Sequence, residues 1–277
     1  MATDMSSVVK IRIAIIAAME REVRPLVRSW KVRMIEHGGR SYRLFENGET
    51  AVICGGIGAQ AARRATEAII AEVQPECVVS AGFAGALDDT LKVGRVLGPR
   101  TVINAADGAR TEIPTGEGVL VTSSAMAGKD QKIRLAKAYG AHAVDMEAAA
   151  VAQGAQARGV GFAAVKVISD AADFDLPAMD RFVASDGSFQ SGRFAFYLAL
   201  RPWLWAATMA LARNSSKASD ALCDALTRHT IQSDLASKKN EAESFAAALN
   251  PSNVPPQSVS GYTYAAVEVH TKQTHQR

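Results

Sequence analysis

Residues 161–170 read GFAAVKVISD. The run is apolar as far as Ile168 and closes on a polar pair, Ser169-Asp170, so it reads as a buried strand with polar groups at its carboxyl end. Just before it, DMEAAAVAQGAQARG (145–159) is an Ala-rich stretch that predicts a helix stopping at Gly159. The residues after it, 171–189, read as an acidic loop with a short helix.

The same alternation runs back to the amino terminus. IRIAIIAA (11–18) predicts a buried strand, and MEREVRPLVRSW, roughly 20–30, the helix that follows it. Pro25 is tolerable there only near the first turn. Residues 41–47 and 50–54 predict a hairpin turned by Asn47-Gly48. GGIGAQAARRATEAIIAEV opens on Gly55, Gly56 and Gly58 and predicts a helix to about 73. Strands are expected at 76–81, about 95–104, 118–122 and 142–144, with a helix at about 129–139. Alternation on this scale predicts an α/β fold, three-layer α/β/α with a central mixed, largely parallel sheet. From 189 onward the pattern is helical, with Pro202 separating two of the segments. The expected organisation is one domain over 1–232 and a polar, largely disordered tail over 233–277.

Composition narrows the function classes. Hydrophobic residues are 48% of the 277-residue chain and aromatics 6%, which suits a sheet covered by Ala-rich helices. The net charge of +3 is spread out, so no nucleic-acid footprint is expected. Cys54, Cys77 and Cys223 are too few and too far apart for a disulfide framework or a zinc site, and Cys54 and Cys77 are expected to be buried in strands. The five histidines show no ligand spacing. No metal and no cofactor is therefore expected. MATDMSSVVKIR has no signal-peptide core and no run of 18 apolar residues occurs, so the expected location is cytoplasmic.

Ligands of open α/β sheets bind beyond the carboxyl ends of strands. Glu22 lies beyond the first strand, Asp145-Met146-Glu147 beyond another, and Asp170 ends a third. Each has an ordinary alternative reading. Asp145 suits a helix cap and Glu147 its capping partner. The turn at Gly55-Gly56-Ile57-Gly58 offers backbone amides to an anion or a ribose oxygen. It lacks the GxGxxG spacing, since position 61 is Ala, which weakens a Rossmann oxidoreductase reading.

Together, IAIIAAMEREV, CGGIGAQAA, SAGFAGALDDTLKVGRV, AVDMEAAAVAQ and VKVISDAAD resemble the nucleoside phosphorylase superfamily, particularly its 5′-methylthioadenosine/S-adenosylhomocysteine nucleosidase branch. The likeness covers roughly residues 11–200. It implies cleavage of the N-glycosidic bond of a purine nucleoside. Asp170 then matches the general acid that protonates the leaving base, with burial expected to keep its proton. Glu22 matches the residue that deprotonates the attacking water. Glu147 grips the ribose hydroxyls, Met146 lies against the sugar, Ser169 supports Asp170, and Gly56 belongs to the substrate-binding turn. A homodimer is also implied.

Four features depart from that branch. Met126, next to Ala127, stands where a purine-stacking aromatic is usual. Phe83 replaces a small hydroxyl residue, Asp145 replaces Glu, and the 104–118 stretch is short. These fit the hopanoid-associated relatives, whose implied substrate is an adenosyl-hopane with a bulky apolar 5′ group. Trp203 and Trp205 are expected to pack on the core or a partner, with an apolar channel or a membrane surface as alternatives. Phosphate in place of water, and a non-catalytic nucleoside-binding or storage role, remain the alternatives for function.

Overall fold

The computed structural model describes residues 10–174, 180–184, 186–201 and 204–248. Trp203 and the segment 249–277 lie outside the described residues. Met1–Asp234 form one compact unit and Leu235–Arg277 a second.

The first strand, β1 (Ile13–Ala17), runs through the middle of the sheet, and its side chains alternate between two apolar cores. Ala14 and Ile16 meet α2 (Ala59–Val73) and α4 (Ala148–Gln156) on one face. Ile15 and Ala17 meet α1 (Glu20–Val27) and α6 (Trp205–Ala248) on the other. Helices thus cover both faces, the three-layer α/β/α arrangement expected from the sequence. The hairpin of β3 (Arg40–Asn47) and β4 (Thr50–Cys54) pairs Asn47 with Thr50, leaving Gly48-Glu49 as the loop and Gly48 at φ +54°. An unexpected antiparallel strand, β2 (Lys31–His37), extends the hairpin at the sheet edge.

The strand expected at 95–104 is two strands, β6 (Val96–Leu97) and β7 (Thr101–Asn104), divided around Pro99, which has no N–H to give a ladder. The segment 105–117, expected as turns, also contains β8 (Arg110–Glu112), paired with β7. Between them and the sheet centre lie β9 (Val119–Thr122) and β10 (Ala143–Asp145), with α3 (Lys129–Tyr139) joining them. β11 (Gly161–Asp170) has the bounds expected from the sequence, and Asp180–Phe182 form one short 3-10 turn. α5 (Ser191–Ala199) precedes α6. The helix continues to Ala248, past the boundary expected at 232, because SDLASKKNEAESFAAA is rich in helix formers and has no Gly or Pro.

Pro25 sits in the second turn of α1, past the position where it is free of cost. It has no N–H for the carbonyl of Arg21, four residues back. That carbonyl instead accepts from the Ser219 hydroxyl of α6 at 3.1 Å. The same hydroxyl reaches Glu22 O at 3.0 Å, and Cys223 Sγ reaches it at 3.7 Å. α6 therefore repairs the hydrogen-bond deficit of α1. Ser219→Ala should leave Arg21 O unpaired in a partly buried contact and cost about 1–2 kcal/mol. Urea denaturation of both proteins measures this, and an unmoved midpoint would mean the carbonyl has another donor.

Candidate active site

The site arises where the central strand changes partners. β5 (Cys77–Ala86) is paired by β11 along one edge, from Gly161↔Cys77 to Asp170↔Gly85. On its other edge, β1 pairs only Cys77–Ser80 and β10 only Gly85–Ala86. Ala81–Ala84 thus face a gap where β1 has ended and β10 has not begun, the kind of crevice in which α/β proteins bind ligands. Glu22 in the first turn of α1, Glu147 at the N-cap of α4 and Asp170 at the end of β11 reach into it. All three line one pocket of about 140 Å³.

Glu22 is nearly inaccessible, and its Oε2 accepts from the Met19 amide at 3.2 Å. Burial pushes its carboxyl above the usual range, against the pull of that amide and of Lys166. Gly82, at φ +152°, leaves room for it, since a Cβ there would stand 3.3 Å from Oε2.

Glu147 is the N-cap of α4 but does not cap it with its side chain. Its Oε1 accepts from Gly58 N at 2.7 Å, at the amino end of α2. Asp145 performs the capping, with Oδ2 accepting from Ala148 N at 2.8 Å. Burial, and then repulsion by Asp145, raises Glu147 to about 7, against the opposing pull of Lys166 and the Gly58 amide.

Asp170 is clamped on both oxygens. The Ser169 hydroxyl donates to Oδ1 at 2.7 Å and the Lys132 ammonium contacts Oδ2. Lys132 also donates to Ala171 O at 2.7 Å. A cation from α3 therefore touches Asp170. Gly85 allows the approach, since a Cβ there would stand 2.9 Å from Oδ2.

Two lysines of this site escaped the sequence reading. Lys166 lies within the apolar run of β11, and its Nζ is 2.8 Å from Asp145 Oδ2 and 3.0 Å from Ser80 Oγ. A cation inside a strand apolar on both sides was the available signal. Burial would lower Lys166, but Asp145, Glu147 and Glu22 outweigh it and its pKa is raised. Lys132 belongs to the charged helix KDQKIRLAK, where nothing sets it apart from its neighbours.

Met126, Ala127, Met146, Phe83 and Ser169 line the pocket. Gly56 does not. Its amide is bonded to Ala18 O at 2.9 Å, and its φ of +104° lets the Gly187 backbone pack where a Cβ would be. The turn's amide at Gly58 is occupied by Glu147 instead of being open to an anion. Cys54 and Cys77 lie in strands but are only half-buried, and all three cysteines are free. Among the described residues no cluster of three His, Cys, Asp or Glu side chains is placed to hold a metal ion, and no helix is long and apolar enough to cross a membrane.

The sequence profile of the phosphorylase superfamily matches residues 12–118 and 105–190, the strands and loops that build this pocket. The chain belongs to the phosphorylase superfamily. Among curated members, a 5′-methylthioadenosine/S-adenosylhomocysteine nucleosidase of Staphylococcus aureus is 28% identical, the match covering 58% of this chain and 87% of that one. Among solved structures, futalosine hydrolase of Helicobacter pylori superposes with a TM-score of 0.60 at 20% identity, over 80% of this chain and 98% of its own. The 5′-methylthioadenosine nucleosidase of Arabidopsis thaliana gives 0.61 at 19% identity, over 79% and 93%. At such identities the two structures establish that this superfamily member shares their fold.

Glu147 holds its proton up to a pH of about 7 in the folded protein, above the ordinary value of 4.5. Its stabilising contribution is therefore complete below the lower value and is lost as pH rises through the upper one. Glu147→Gln removes that titration. Between about pH 5 and about pH 8, stability should shift in favour of the variant by roughly 1–3 kcal/mol. Thermal melts of both proteins across this range test it, and parallel pH profiles would rule the shifted titration out.

Proposed function

We propose that this protein hydrolyses the N-glycosidic bond of an adenine nucleoside. The observation carrying the reading is the convergence of Glu22, Glu147 and Asp170, from three separate strand ends, on one pocket beside β5. Hydrolysis breaks the bond from C1′ to the base through a sugar with developing positive charge. A carboxylate-rich pocket favours that charge.

Glu22 is the base. Burial raises its pKa, which makes its carboxylate a stronger proton acceptor than an exposed one. It takes a proton from water as the oxygen bonds to C1′. Glu147, with Oε1 accepting from Gly58 N and Oε2 from Met146 N at 3.3 Å, offers the second lone pair of Oε2 to the ribose hydroxyls, and Met146 covers the sugar. Asp170 faces the leaving base. The Lys132 ammonium keeps a proton one hydrogen bond from its carboxylate, so the pair together serves as proton source, and Ser169 sets its orientation. The base leaves neutral, and the proton taken by Glu22 returns the site to its starting state through solvent. Met126 and Phe83 supply apolar surface to the bound nucleoside.

Water is favoured over phosphate as nucleophile by the charge balance. Lys132 is matched by Asp170, leaving Lys166 and Arg21 to face Glu22, Asp145 and Glu147. Such a pocket repels a phosphate dianion. Arg21, Arg24 and Arg28 line a larger cavity of about 870 Å³ next door, which shares Arg21, Phe83, Leu211 and Ser215 with the pocket. That volume, with Phe189 and Phe194 on its wall, supports a bulky 5′ substituent, of which adenosyl-hopane is the case the sequence resemblance suggests.

Adenine release from adenosine, methylthioadenosine, adenosylhomocysteine and an adenosyl-lipid, with and without phosphate, tests the reading. Release should be independent of phosphate, and a strict requirement for it would reverse the choice of nucleophile. Asp170→Asn should lower kcat by about 10²–10⁴-fold while nucleoside binding persists. Undiminished turnover in that variant would remove Asp170 from the mechanism.

A further inference from the structure

Large apolar side chains are concentrated on one part of the surface. Phe196, Leu200, Trp205 and Met209 are 69%, 60%, 54% and 58% exposed, all within α5, its C-cap and the start of α6. Trp205 therefore does not pack into the core. Its indole N–H donates to Leu198 O at 2.8 Å, which ties the start of α6 to the last turn of α5.

The spacing makes two matched stripes. Arg193, Phe196 and Leu200 follow one another at three- and four-residue steps along α5. Trp205, Met209 and Arg213 do so at four-residue steps along α6. Residues so spaced share a helix face. Each stripe joins two exposed apolar side chains to an exposed arginine. Beside the α5 stripe is a recess of about 480 Å³ bordered by Arg181, Arg193 and Arg201 with Phe196 and Leu200.

Within the segment that carries these stripes the charge has one sign. Between Asp186 and Asp220 the chain contains Arg193, Arg201, Arg213 and Lys217 and no Asp or Glu. A second copy seated on this face would set arginine against arginine. An anionic bilayer satisfies both parts of the pattern, with apolar side chains entering the acyl boundary and guanidiniums meeting lipid phosphates. We propose that the exposed face of α5 and the first turns of α6 is a docking surface for an anionic lipid membrane.

Co-sedimentation of the full chain with vesicles tests this, using phosphatidylcholine alone and phosphatidylcholine with phosphatidylglycerol. Binding to the mixed vesicles should be at least tenfold tighter than to phosphatidylcholine, and should fall as salt is raised. Two variants, Phe196→Ser with Met209→Ser and Arg193→Glu with Arg213→Glu, should each lose at least tenfold, with thermal melts confirming that both fold. The altered residues lie outside the pocket, so release of adenine from a soluble nucleoside should not change in either variant. Loss of vesicle binding with intact turnover supports the docking surface. The proposal is overturned if the parent does not bind mixed vesicles, or if the variants bind like the parent. It is equally overturned if the apolar variant turns a dimer into a monomer in analytical ultracentrifugation, since the face is then a self-association surface.

Discussion

The contact between Lys166 and Asp145 joins more of this structure than any other pair of side chains described. Lys166 comes from β11 and also holds Ser80 of β5. Asp145 ends β10, caps α4 through Ala148 and accepts from Thr122 of β9 at 2.6 Å. Four strands and a helix therefore meet at one ion pair that is almost completely shielded from solvent. A buried pair of this kind gains little over an apolar substitute, but loss of one partner strands the other charge. The sheet's change of partners along β5 requires strands of different direction to end at the same level, and this pair fixes that level.

The same contact sets the electrical character of the pocket. One ammonium cannot neutralise Asp145, Glu147 and Glu22 together, and in a site sheltered from water the surplus appears as carboxyl groups that ionise late. For Glu147 that ionisation is pushed up to about 7. On the hydrolytic reading proposed above, the surplus also favours a cationic sugar over an anionic nucleophile, which would give packing and chemistry a common origin.

Much of the fold was legible because its strands are short apolar runs bounded by turn residues. β11 and the β3–β4 hairpin were read closely, since Asp170 and Gly48 mark their ends. β2 was not, because KVRMIEH lies at the sheet edge with Val32 and Met34 exposed, and gives no buried-strand signal. Residues 95–104 read as one strand because their apolar residues flank Pro99 on both sides, and only the break at Pro99 separates β6 from β7. At the site, the carboxylates stood out through motifs at strand ends, whereas their cationic partners did not. Lys132 reaches Asp170 across 38 positions of sequence and Gly58 reaches Glu147 across 89, contacts that no local pattern encodes. Gly56 was misjudged for the same reason, because its partner is Gly187.

The bond between Ser219 and the Glu22 carbonyl spans 197 positions. In a chain made from the amino terminus, Glu22 leaves the ribosome 197 residues before the group that steadies its helix. Until then α1 has an unanswered carbonyl at Arg21 and no α6 against its apolar side. The pocket is therefore completed only after the superfamily-matched segment has been synthesised in full, and trimming the gene to that matched segment would yield a sheet with its carboxylates present and its base unsupported.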